Sequence, residues 1–173
     1  MIKNIFNCEL EGLRKIELDK FEDLRGTYQE SFNLNEYQIK GIKIDFVQDD
    51  FSISKFKVIR GLHGDHNTWK LVSCIMGEFF LAVVNFDEKS NQYCQHQTFT
   101  LNENDNYQIL IPPKFANGHL VLSKKTIFHY KQSTYYDGME KQFTLRWNDP
   151  KLAIKWPINN PILSARDKEV SNI

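Results

Sequence analysis

Short apolar stretches alternate with polar, turn-forming clusters along most of the chain. β-Branched and aromatic residues gather at Ile42–Val47, Lys57–Ile59, Leu71–Ile75, Glu78–Phe86, Gln97–Leu101, Gln108–Ile111, His119–Leu122, Thr126–Gln132 and Gln142–Trp147. Each stretch has the length and composition of a strand rather than a helix. Glu78–Phe86 is almost continuously apolar, which predicts a strand covered on both faces. The breaks between them carry turn chemistry at Asp87–Asn91, Asn102–Asn106, Pro112–Pro113, Asp137–Gly138 and Asn148–Asp149–Pro150. Only Asn35–Lys40 reads as helical. Many short strands at this spacing predict an all-β sandwich or barrel. With no repeat, low-complexity tract or linker, residues 1–173 read as one domain.

Composition narrows the choice of partners. Lys+Arg and Asp+Glu both number 22, so no overall basic field recruits nucleic acid, and any anion must be bound locally. Cys8, Cys74 and Cys94 are odd in number and lack CxxC spacing, against a disulfide framework or a zinc site. The first residues hold no apolar run of signal-peptide length, and nowhere do 18 apolar residues run together. The expectation is a cytoplasmic chain with no membrane partner.

Four clusters concentrate reactive side chains. They are Arg60-Gly61-Leu62-His63-Gly64-Asp65-His66 with Trp69 and Lys70, then Pro112 to His119, Tyr130-Lys131, and Ser164-Ala165-Arg166-Asp167. His63, His66 and His119 raise the possibility of a metal-binding barrel. Paired strand ligands belong at i and i+2, however, whereas His63 and His66 lie at i and i+3, with no Glu in the six residues that follow. A barrel that only binds a sugar nucleotide through Arg60 and His63 is a second reading. It leaves Lys70, Tyr130 and Asp167 without a purpose.

At these residues the chain resembles the dTDP-4-dehydrorhamnose 3,5-epimerase family. The likeness rests on ordered blocks: Asp23-Leu24-Arg25-Gly26 with Glu30, Gln48-x-Asp50-x-Ser52-x-Ser54, Arg60-Gly61-Leu62-His63, Lys70-Leu71-Val72 and Ile111-Pro112-Pro113-x-Phe115-Ala116. Tyr130-Lys131, Trp147-Asn148-Asp149-Pro150, Ile154-x-Trp156-Pro157 and Leu163-Ser164-x-x-Asp167 complete the series. The resemblance implies a cupin-like jelly-roll β-barrel with a few short helices: N-terminal strands, a central barrel and a short C-terminal segment. It implies a homodimer, no cofactor and no metal.

The resemblance also implies roles. His63 would take a proton beside the sugar ketone, Asp167 would orient and charge it, Tyr130 would be the acid across the sugar, and Lys70 would steady the enolate oxygen. Arg25 and Arg60 would hold the diphosphate, with Gln48 and Glu30 near the nucleotide. Chemically the set is coherent. A carbon acid beside a ketone needs its enolate stabilised as it forms, histidine titrates near operating pH, and inversion needs groups on both faces of the ring.

Three departures stand out. The loop from His63 to Lys70 is short, Asn117 occupies the place of a frequent active-site histidine, with His119 two residues on, and Asp50 replaces an asparagine. Asn117 and His119 are therefore expected in the substrate pocket. The short loop looks like a branch acting in surface-polysaccharide pathways, including GDP-heptose enzymes. The expected substrate is a GDP- or dTDP-linked 4-keto-6-deoxy hexose or heptose, inverted at C3, C5 or both. A 3,4-ketoisomerase and a non-catalytic nucleotide-sugar-binding barrel remain as alternatives.

Overall fold

A computed structural model describes residues 1–173. Its strands are β1 (Ile2–Asn7), β2 (Arg14–Leu18), β3 (Phe21–Asp23), β4 (Gly26–Tyr28), β5 (Gln48–Lys55), β6 (Ile59–Gly64), β7 (Lys70–Met76), β8 (Glu78–Asn85), β9 (His96–Asn102), β10 (Tyr107–Ile111), β11 (Phe115–Val121), β12 (Lys125–Gln132) and β13 (Phe143–Thr144). Two short helices, α1 (Leu34–Ile39) and α2 (Ala165–Lys168), flank them. One sheet runs β1-β2-β10-β7-β12-β5, the other β13-β6-β11-β8-β9, and β3-β4 is a separate hairpin. The two large sheets face each other as a cupin-like jelly-roll barrel. No helix is long and apolar enough to cross a membrane.

The core has three layers, and the sequence period explains them. Between the sheets, Val72, Ile109, Ile111 and Phe128 from one meet Phe79, Leu81, Val83, Leu101 and Phe115 from the other. On the outer side of β8 the alternate residues Ala82 and Val84 are buried too, under Leu145, Leu152 and the half-buried Trp156. That second cover is why Glu78–Phe86 is apolar at nearly every position. On the outside of the six-stranded sheet, Ile16, Leu18, Leu71 and Leu110 are covered by Tyr37 of α1 and by Ile42. Asn33 caps α1, its side chain accepting from the Glu36 N–H, which fixes where this cover begins.

Several sequence expectations need correction. Ile42–Val47 is not a strand: the ladder starts at Gln48, and the alternating Ile42, Ile44 and Phe46 lie in extended chain packed against the outer cluster. Period two marks an extended segment with one buried face whether or not it pairs. Gln142–Trp147 yields strand only at Phe143–Thr144, and Lys57 sits in a turn with φ 69°, so β6 begins at Ile59. β1, β2 and β5 escape the reading because their outward positions are polar or charged, which dilutes the apolar signal.

One irregularity positions the site. In the β11–β6 pairing Asn117 opposes His63 and His119 opposes Arg60, so β6 spends three residues where β11 spends two. This bulge turns Arg60 and His63 to the same side although their spacing on a regular strand would oppose them. Gly61 lies in the bulge at φ 110°. A Cβ there would come within 2.6 Å of the Asn117 carbonyl oxygen and 2.7 Å of Gly118 Cα. Gly61→Ala is expected to cost about 1–3 kcal/mol through overpacking and left-handed strain, read as a lower urea midpoint. An unchanged midpoint would show that β6 and β11 part without cost.

Candidate active site

A pocket of about 490 Å³ opens between the two sheets. From the five-stranded sheet come Arg60 and His63 of β6 and Asn117 and His119 of β11. From the six-stranded sheet come Ser52 of β5, Lys70 of β7, and Phe128, Tyr130 and Gln132 of β12. Tyr136, Gln142, Ser164, Arg166 and Asp167 close one side. The residues at 128, 130 and 132 point inward because strand side chains alternate. By the same rule Lys70 faces the pocket while its neighbour Trp69 packs on the outer cluster.

His63 Nε2 lies 2.7 Å from Asp167 Oδ1. Asp167 is 4% exposed and is set by α2, whose N-cap Ser164 accepts from the Asp167 N–H and donates its own hydroxyl to Oδ2 at 2.8 Å. Burial pushes the Asp167 carboxyl up. The His63 hydrogen bond and charge, the Ser164 hydroxyl and the Gly61 N–H outweigh it, so its pKa lies below the usual value. An ionised carboxylate at Nε2 favours the tautomer with the proton there, leaving the lone pair on Nδ1.

Lys70 is 8% exposed and its Nζ reaches across the pocket to Asn117 Oδ1 at 3.2 Å. Burial lowers its pKa; the Asp65 charge partly opposes this, and Arg166 adds to it. Tyr130 stands on the sheet opposite His63. Burial, then the Asp50 and Tyr136 charges, push its phenol up to about 12, so it keeps its proton at neutral pH. Asp50, directly across from Tyr130 on β5, accepts from Gln48 Nε2 at 2.7 Å and Gln132 Nε2 at 2.9 Å.

The structure therefore brings His63, Asp167, Lys70, Tyr130, Arg60, Asn117 and His119 to one pocket. Gln48, across from Gln132 on β5, is not part of the lining; it accepts from the Tyr136 N–H. Arg25 is outside it: exposed on the β3-β4 hairpin and paired with Asp23. Glu30 is outside too, 3.6 Å from the N-terminal ammonium. His66 lines an adjoining polar hollow with Asp65 and Thr68. That short loop is closed by Asp65 Oδ1, which accepts from the Asn67 and Thr68 N–H groups.

Pocket residues without an assigned role in the sequence reading include Arg166, Tyr136, Gln132, Gln142 and Ser52. Arg166 stood beside Asp167 in the fourth cluster. Its guanidinium bonds Thr144 Oγ1 at 2.6 Å and Gln142 Oε1 at 3.1 Å. Nothing in the local sequence signals that these two come together.

Known proteins share this arrangement of strands. Residues 7–173 match the family profile described as dTDP-4-dehydrorhamnose 3,5-epimerase. The chain belongs to that family. The dTDP-4-dehydrorhamnose 3,5-epimerase of Escherichia coli K12 is 36% identical over 172 residues, covering 96% of this chain and 92% of that one. A crystal structure of the Legionella pneumophila dTDP-6-deoxy-D-glucose-3,5-epimerase, in complex with dTDP-4-keto-L-rhamnose, superposes with a TM-score of 0.89 at 38% identity, covering 95% and 89% of the two chains. The Bacillus anthracis dTDP-4-dehydrorhamnose 3,5-epimerase, with TDP and PPi bound, gives a TM-score of 0.93 at 31% identity, covering 98% and 99%. This epimerase-family chain is thus an isomerase acting on carbohydrates.

Lys70 supplies a stability test. Its folded pKa lies below the ordinary 10.5, so the unfolded chain holds the proton more tightly. Native stability then rises as pH climbs through the window between the two values. Lys70→Met removes a buried charge that has no carboxylate partner. At pH 7 the variant is expected to resist urea better than the parent by about 1 kcal/mol or more. The gap should narrow as the pH nears 10.5. A less stable variant at pH 7 would mean that the ammonium is better solvated than its burial indicates.

Proposed function

We propose that this chain inverts C3, C5 or both of a nucleotide-linked 4-keto-6-deoxy sugar through an enolate, supplying an activated sugar for a surface glycan. The observation that carries the reading is the placement of the proton-transfer groups. His63, backed by Asp167, and Tyr130 stand on opposite sheets, and the Lys70 ammonium reaches between them.

In the proposed cycle His63 Nδ1 takes the proton from the carbon beside the C4 ketone. The C–H electrons move to form the C=C bond, and the carbonyl electrons pass to the oxygen, where Lys70 offsets the charge. One well-aimed donor of this kind lowers a barrier by roughly 3 kcal/mol. Asp167 stabilises the imidazolium that results. Tyr130 then delivers its phenolic proton to the opposite face of the same carbon. As that C–H bond forms, the enolate electrons restore the C4 carbonyl; the tyrosinate regains a proton from solvent, and His63 releases its own to solvent. A phenol held at about 12 is a poor acid toward water but a competent one toward a carbanion. Arg60, and Arg166 beside Asp167, suit the diphosphate, whose binding positions the sugar.

The carrier and the sugar are the finer part of the proposal. The carrier is GDP or dTDP and the sugar a hexose or heptose, and the short Gly64–Trp69 loop is where the choice between carriers would be made. The reading includes a cytoplasmic homodimer that needs no cofactor. Phe21, Leu24 and Tyr28 project from the β3-β4 hairpin into solvent, and Arg25 lies on the same hairpin, away from its own pocket. Docking this hairpin on a second copy would cover the apolar side chains and carry Arg25 toward a diphosphate.

The test is incubation in D2O with GDP- and dTDP-linked 4-keto-6-deoxy sugars, including a GDP-heptose, followed by mass spectrometry. One or two deuterons gained with one carrier, and a keto group that stays at C4, are expected. No gain with any sugar would leave a binding protein, and a migrated ketone would indicate a ketoisomerase. His63→Asn is expected to lose several orders of magnitude in rate with the fold intact. Tyr130→Phe should retain exchange while net inversion fails; equal loss of both would remove Tyr130 from the acid role.

A further inference from the structure

The Lys70 ammonium has one hydrogen-bond partner in the protein, and the contact decides which way that partner faces. Nζ can only donate, so the atom of Asn117 that meets it at 3.2 Å is the amide oxygen. The amide nitrogen is thereby fixed on the other branch of the same planar group. Asn117 Nδ2 donates to no protein atom, and it is not sealed in. The buried unpaired atoms at this pocket are His119 Nε2 and Ser52 Oγ, whereas Asn117 is half-buried and lines the cavity.

Strand register brings that nitrogen to the reacting groups. Asn117 of β11 pairs with His63 of β6, and paired residues on neighbouring strands point to the same side of a sheet. Lys70 arrives from β7 on the opposite sheet, paired with Gln132. β6 and β11 approach so closely at Gly61 that the Asn117 backbone has little room to shift. The charged neighbours of Lys70 are engaged elsewhere: Asp65 with the Asn67 and Thr68 N–H groups, Arg166 with Thr144 and Gln142. Both act on the ammonium through charge and leave its spare N–H groups to the cavity.

The carbonyl oxygen and the syn N–H of a primary amide lie side by side. With the Asn117 oxygen held by Lys70, one substrate oxygen can accept from Nζ and Nδ2 together, closing a ring of three hydrogen bonds. The ammonium supplies charge, and the amide supplies a directed donor whose protonation never changes. Two donors fixed before the reaction suit an oxygen on which charge develops.

We propose that Asn117 is the second donor to the C4 oxygen, so that Lys70 and Asn117 together form the hole in which the enolate develops. Asn117 is then a catalytic residue as well as the holder of Lys70. No proton leaves it: its N–H bond stays intact while the hydrogen bond tightens as charge moves from carbon to oxygen. This rests on reading the pocket as that of a 4-keto-sugar epimerase.

The test is turnover and deuterium gain by the parent, Asn117→Ala, Lys70→Met and the double variant, with GDP- and dTDP-linked 4-keto-6-deoxy sugars. A donor that acts on the developing enolate lowers kcat and leaves KM nearly unchanged. Asn117→Ala is expected to lose about 100-fold in kcat. The double variant separates donation from positioning. If Asn117 only aims Lys70, its removal from the Lys70→Met protein changes nothing further; as a donor in its own right it should cost that protein about another 10-fold. An unchanged kcat in Asn117→Ala, a rise in KM alone, or no further loss in the double variant overturns the proposal. Should Asn117→Ala fail to fold, the isosteric Asn117→Asp decides. It keeps an acceptor for Lys70 and removes both N–H groups, so kcat should fall with a thermal midpoint at or above the parent's, and full activity overturns the proposal. No deuterium gain by the parent with any sugar defeats the epimerase reading and the hole with it. Gain by the parent that Asn117→Ala matches defeats the hole alone.

Discussion

The hydrogen bond from His63 Nε2 to Asp167 Oδ1 joins parts of the chain 104 residues apart, and the site depends on how the carboxylate is delivered. His63 belongs to the barrel. Asp167 belongs to a C-terminal strap that crosses the outside of the five-stranded sheet. Leu145, Leu152 and Trp156 pack on Leu62, Ala82, Val84 and Ala116. Backbone bonds from Ile59 N–H to Ile162 and from Ile162 N–H to Lys57 then stitch the strap to β6. The Ser164 cap turns it into α2. At the far end, buried Asp149 accepts from the Lys151 and Ile173 N–H groups, closing the terminus onto the strap. Apolar burial on the outer face of β8 therefore supports the geometry of a polar pair inside.

Charge in the pocket follows a consistent pattern. Arg60, Lys70 and Arg166 are each held by neutral acceptors: Ser54, Asn117, and Thr144 with Gln142. The Asp167 carboxylate on the lining is engaged by His63. Hydrogen bonds to neutral groups fix the direction of a cation without cancelling its charge, so the positive potential stays available to an anionic ligand and to charge developing during reaction. Asn117 fits this arrangement, because an amide oxygen accepts from Lys70 whatever the pH.

Much of the fold was legible because strands buried on one or both faces leave a strong apolar record. Leu71–Ile75, Glu78–Phe86, Gln97–Leu101, Gln108–Ile111 and Thr126–Gln132 all lie within or almost within observed strands. Where burial and pairing part company the record misleads. Ile42–Val47 is half-buried but unpaired, whereas Gln48–Lys55 is paired, with exposed alternate residues that hide it. Of the site, the histidine, lysine, tyrosine and aspartate were legible from blocks whose order is specific. Arg25 and Glu30 belong to the same blocks but not to this chain's own pocket.

Period two and the turn residues thus determined, from the sequence alone, that the chain is all-β, and the ordered blocks named most of the side chains that the candidate pocket gathers. The tertiary structure alone decided which of them meet. Arg60 and His63 share a wall only because a bulge at Gly61 adds a residue to one strand. Arg166, Gln142 and Thr144 converge only because the strap folds over β6. Asn117 turns its N–H groups to the cavity only because Lys70, from the opposite sheet, takes its oxygen. Each is a long-range fact, set by strand register and by how one element covers another, and local sequence carries no record of a neighbour that arrives a hundred residues later.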